Sequence, residues 1–165
     1  MPIPDEPPGD LNTATAVIAL FRQLHGELRS LVGQCSADAL NFVPCPGANS
    51  IATIVTHLLG SEAETLKHVG GVDGVRDREA EFQMGKQSRD SLLAQLDAAD
   101  ALLAELGPAI TSDRLDLRGA LPTLSDTDTR PGVTWLIGNL AHAREHIGHA
   151  FLTKQIWDSG QPNRA

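Results

Sequence analysis

The sequence predicts an all-α fold, a four-helix bundle of the up-and-down type with long connections between helices two and three and between three and four. Three observations predict it. Four stretches repeat apolar residues at spacings of three and four. Glycine, proline and short polar side chains mark the ends of those stretches. No segment shows a convincing strand pattern. At 165 residues the chain suits one domain, expected over 12–160, with a flexible N-terminal arm at 1–11 and a C-terminal tail at 161–165.

The first helix is expected from about Asn12 to Val32, where Val17, Leu20, Phe21, Leu24, Leu28 and Leu31 form one apolar face. Asn12 suits the N-cap and Gly33 the stop. A short turn over Ser36–Leu40 follows. The Pro44-Cys45-Pro46-Gly47 segment then requires an extended connection, because proline lacks the amide a helix needs. Ser50 caps a second helix of roughly twenty residues, lined by Ile51, Ile54, Val55, Leu58, Leu59, Leu66 and Val69 and ended by Gly70-Gly71.

The stretch from Val72 to Gln87 is charged and long for a connection, which marks a functional loop or a crossover. Ser88 opens a third helix through Leu92, Leu93, Leu96, Leu102, Leu103 and Leu106, and Gly107-Pro108 closes it. The second connection, Ala109 to Arg130, has no clear period; it has room for a short extended piece but does not require one. Pro131-Gly132 opens the fourth helix, which runs to Trp157 and stops by Gly160.

Thirteen basic against twenty-one acidic residues give a net charge of -8, and the basic ones are scattered. No stripe exists to neutralise phosphates, so nucleic acid is not an expected partner. No apolar run approaches the roughly 18 residues of a membrane span, and Met1–Asp10 lacks the basic start and apolar stretch of a signal peptide. The expected compartment is therefore the cytoplasm, where Cys35 and Cys45 stay reduced.

Chemistry concentrates on histidine. His142 and His146 stand four apart on the fourth helix, so both rings can face one point. Chance alone gives roughly 0.2 such pairs for this many histidines, so context must support the motif. On a helical wheel Val133, Leu136, Leu140, Ile147 and Phe151 form the apolar stripe, with Trp135, His142, His146 and His149 about 120° round. The second helix offers a comparable edge in Ser50, His57, Ser61, Glu64 and His68. For level, parallel helices, rise per residue puts His57 at about 10 Å and the pair at about 15 to 21 Å from their helix starts. Glu64 fits that depth at least as well as His57, and His68 stays open. His149 is set apart: three ligands over two turns span about 10 Å, too far for one ion with bonds near 2 Å.

Three segments resemble the DinB-like superfamily of metalloenzymes. Ser50-Ile-Ala-Thr-Ile-Val-Thr-His57-Leu-Leu-Gly-Ser-Glu62 is similar to the family's second-helix pattern with one metal-binding histidine. Arg76-Asp-Arg-Glu-Ala-Glu-Phe82 is similar to a run seen in some members, and His142-Ala-Arg-Glu-His146-Ile-Gly-His149 resembles its last-helix signature. His149 stands where that signature carries glutamine. The resemblance spans about residues 12 to 157 and implies His57, His142 and His146 as metal ligands.

It further implies a homodimer; three imidazoles suit a divalent transition metal such as zinc, nickel, iron or copper, and zinc or nickel is expected. By the same resemblance the expected function is metal-assisted transfer of a low-molecular-weight thiol to an electrophile. A metal-dependent hydrolase and a non-catalytic bundle that binds a metal or small ligand are the alternatives. Three protein ligands leave coordination positions open, which is the pattern of a reactive rather than a structural ion. Glu64 and Glu145 are candidate neighbouring acids or bases, with a solvated surface role the commoner fate of such carboxylates.

Overall fold

The structure is a computed structural model that describes residues 13–160. The expected arm, the tail and the Asn12 cap lie outside those residues. Four long helices dominate: α1 (Thr13–Gln34), α3 (Ile51–Gly70), α5 (Arg89–Leu106) and α7 (Gly132–Ser159). Between them lie the short α2 (Ala37–Leu40), α4 (Arg78–Gln83) and α6 (Ser112–Asp116), and a two-stranded antiparallel ribbon of β1 (Arg118–Gly119) and β2 (Arg130–Pro131). The fold is all-α apart from that ribbon.

Ser50 caps α3 by accepting the Thr53 amide at 3.1 Å, and Ser88 caps α5 in the same way through Ser91. Gly71 ends α3 at φ +74°, in the left-handed region that a β-carbon disfavours. Gly33 does not stop α1. It keeps a helical backbone, and the helix runs on to Gln34 before Ser36 caps α2.

The α3 helix packs against α5 and α7, and α1 packs against the same two. All seven apolar residues expected to line α3 are buried. Phe21, Leu24, Leu28 and Leu31 of α1 meet Leu92, Leu96 and Leu103 of α5 in the same core, each burial contributing about 1.5–3 kcal/mol. Leu20, expected on the α1 core face, is 41% exposed.

The α7 core line also departs from the wheel. Leu136, Ala143, Ile147 and Ala150 are buried while Phe151 points outward at 40% exposure. A wheel weighted by hydropathy favours the bulky Phe151, but close helix packing takes the alanines. Trp135, expected beside the histidines off the core, is buried, and its Nε1 donates to the Gly119 carbonyl at 2.8 Å.

A charged cluster sits inside this core. The His25 imidazole of α1 meets Asp100 of α5 through Nδ1 at 2.6 Å and Glu62 of α3 through Nε2 at 3.0 Å. Arg29 closes the set on Asp97 and Asp100. Both ring nitrogens face carboxylates, so the geometry calls for the doubly protonated cation. Three helices are thereby tied at one level.

Candidate metal centre

His57 projects from the second turn of α3 onto α7, which presents His142 and His146 one turn apart. The Nε2 atoms of His57 and His142 are 3.2 Å apart, and ligand atoms of all three residues lie within 4.8 Å of one another. Two nitrogens bound to one tetrahedral zinc at 2.0–2.1 Å stand roughly 3.3 Å apart. The observed spacing therefore fits a shared ion. The rings cluster accordingly, with centroids 4.4 Å apart for His142 and His146 and 5.3 Å for each against His57.

Outside the three imidazoles stands a carboxylate. Glu81 Oε2 lies 3.0 Å from His57 Nδ1, and Arg76 grips the same carboxylate through Nε at 2.7 Å and Nη2 at 2.8 Å. Arg76 Nη2 also stands 3.2 Å from His57 Nδ1. Its protons are directed to Glu81 and to the His57 carbonyl, so Nδ1 keeps its own proton and donates it to Glu81. That tautomer turns the Nε2 lone pair toward His142 and His146.

Arg76 reaches further, to Glu64 at 3.0 Å, and Glu64 accepts the Thr123 amide at 2.9 Å and the Thr123 hydroxyl. Glu64 is thus buried and fully engaged, and faces Arg76 instead of the imidazoles. Gly60 makes room for this packing, because a β-carbon there would collide with the Glu81 carboxylate, standing 2.9 Å from its Cδ.

Burial pushes the His57, His142 and His146 imidazoles below their ordinary pKa, and the charge of Arg76 adds to this at His57 and His142. Neutral imidazole is the form that binds a metal. The other candidates separate. His149 is exposed, its ring 5.5 Å from that of His146 and outside the group of converging ligand atoms. His68 lies farther along α3, edge-on to Trp135 at 6.5 Å. Glu145 is exposed on α7.

A scan against protein families matches residues 4–150 to the DinB superfamily. The chain belongs to that superfamily. Among solved structures, a DinB-like protein, YjoA, from Bacillus subtilis shares the fold of this DinB protein at a TM-score of 0.64. Its identity is 16%, over 90% of this chain and 94% of that one. No curated protein matches. Glu81 and Arg76 belong to the charged run quoted above, yet the sequence assigns them no role. The available signal is a run of carboxylates and cations inside a connection too long to be a simple turn. Thr123, in the second connection, carries no signal of its own.

Proposed function

We propose that this DinB protein is a metal-dependent enzyme in which His57, His142 and His146 hold a divalent ion, zinc or nickel, and that it transfers a low-molecular-weight thiol to an electrophile. The observation that carries the reading is the convergence of three neutral imidazoles, one of them oriented by Glu81. Such a set suits zinc, nickel, iron or copper and leaves positions open. A dication held there supplies Lewis acidity, lowering the pKa of a thiol and polarising an electrophile.

The chain's own part is orientation and exclusion of water. Glu81 and Arg76 fix the His57 ring, Phe82 covers it with ring centroids 4.8 Å apart, and a cavity of about 300 Å³ opens beside His57 and His142. We place the site in an up-and-down four-helix bundle that acts as a cytoplasmic homodimer. Support comes from exposed Ile137, Phe151, Leu152 and Ile156 on α7. Among the described residues no helix is long and apolar enough to cross a membrane.

Elemental analysis of untagged protein tests the metal. About one equivalent of transition metal per chain is expected; less than a tenth, with none taken up on soaking, overturns the proposal. Turnover of a generic electrophile with a panel of small thiols then separates catalyst from carrier, since His57→Ala abolishes it. Equal rates in parent and variant remove the site from the chemistry.

A further inference from the structure

The cavity beside His57 and His142 is lined by three of the chain's thirteen basic residues, Arg76, Arg78 and Arg130, and by one acid, Glu64. In a protein of net charge -8 this is a local reversal. Two of those charges cancel. Arg76 is engaged by Glu81 and Glu64, and Glu64 by Arg76 and Thr123. Of the remaining two, Arg78 has no carboxylate partner among the described residues, and Arg130 shares its charge with Asp128 while keeping a free edge.

Arg78 lies over the Phe82 ring at 5.3 Å and has no carboxylate or hydrogen-bond partner among the described residues. Arg130 is held rigidly: Nε and Nη2 donate to Asp128 at 2.8 and 2.7 Å, and its guanidinium lies over Trp135 at 4.8 Å. That leaves Nη1 uncommitted. Asn139, three residues before His142 and 7% exposed, lines the same cavity. Its Nδ2 donates to Ser61 at 2.9 Å, while Oδ1 is buried without a partner among the described residues.

We propose that the ligand of this cavity is a small oxyanion, carboxylate- or phosphate-bearing, whose charged end is held by Arg78 and Arg130 while its reactive end faces His57 and His142. Arginine suits the task because its planar fork donates two parallel hydrogen bonds to such a group. The inference rests on the metal reading above and adds the substrate class to it.

Cobalt(II) loaded into the intact protein provides the test, since a thiol that ligates cobalt gives a sulfur charge-transfer band. The probes are 3-mercaptopropionate, 2-mercaptoethylphosphonate and the neutral 3-mercaptopropionamide. In the parent, one or both anionic thiols bind about tenfold tighter than the amide, the worth of one charge-assisted hydrogen bond, and the stronger names the oxyanion. In Arg78→Gln with Arg130→Gln the preference falls to about twofold or less, and Arg78→Lys retains part of it.

A cobalt-loaded parent that binds the amide as tightly as both anions overturns the oxyanion proposal alone. So does a preference that survives in the double variant. A protein that takes up no cobalt overturns the metal reading, and this inference with it.

Discussion

Replacing Gly60 by alanine sets two effects of opposite sign against each other. In a helix interior the change stabilises, by about 0.8–1.0 kcal/mol. Here the new β-carbon occupies the space of the Glu81 carboxylate, with Cδ at 2.9 Å and Arg76 Nε at 3.4 Å. The obstructing atoms are the end of a flexible side chain, so the helix accepts the methyl and Glu81 moves away from His57 Nδ1. Losing a partner that orients a metal-ligating histidine costs 10–100-fold in affinity, or about 1.4–2.8 kcal/mol.

The Arg76–Glu81 pair is loosened at the same time, which largely offsets the helix gain, while the retained Arg76–Glu64 pair limits the loss. Metal-free Gly60→Ala is therefore expected to melt within about 4 °C of the parent. Its zinc affinity, measured by competition against a chromophoric chelator at fixed pH, is expected to fall by one to two orders of magnitude. Unchanged zinc affinity in a properly folded variant would refute the assignment of Glu81 as the group that orients His57.

The remaining expectations are simpler. His149→Ala keeps zinc affinity within about threefold of the parent, and a loss of tenfold or more in the same competition would place His149 among the ligands. Gly132→Ala puts a β-carbon against the Arg114 carbonyl oxygen, 3.1 Å from Val69 Cγ1 and 3.3 Å from Leu115 Cα. It should destabilise by about 1–3 kcal/mol in urea unfolding, and a parental midpoint would contradict the overpacking argument. Burial alone would depress the His25 pKa, but hydrogen bonds and charge from Glu62 and Asp100 outweigh it and raise it above 6.5. A raised pKa gives stability that is complete below the unfolded value and is lost as pH rises through the folded one. The melting-temperature gap between parent and His25→Gln should thus be widest near pH about 6 and narrow toward about 9; a gap that widens would reverse the sign.

What the sequence made legible was what periodicity encodes. The long helices, the Ser50 and Ser88 caps and the Gly71 terminator follow from local chemistry, and α3 buries its expected face completely. Local chemistry could not rank Phe151 against Ala143 and Ala150, because that choice depends on how closely two helices approach. Depth along the helices left His57, Glu64 and His68 as rivals, and the resemblance chose His57. The fold brings His57 to His142 and turns Glu64 toward Arg76 and Thr123. The role of Glu81 was illegible because α4, six residues with an Asp77 cap, lies in a stretch too short and charged to show a period.

His57 and His142 are 85 positions apart in the chain, and their Nε2 atoms meet at 3.2 Å. An ion gripped by both would act as a removable cross-link closing a loop that contains α4, α5, α6 and the ribbon. By the chain-entropy reasoning applied to disulfides, such closure limits the unfolded ensemble by about 4–5 kcal/mol. Closure entropy grows slowly, by about 0.6 kcal/mol per doubling of length. The connections on either side of α5 could therefore lengthen or shorten at small thermodynamic cost, with the cross-link still holding the two ends of that loop together.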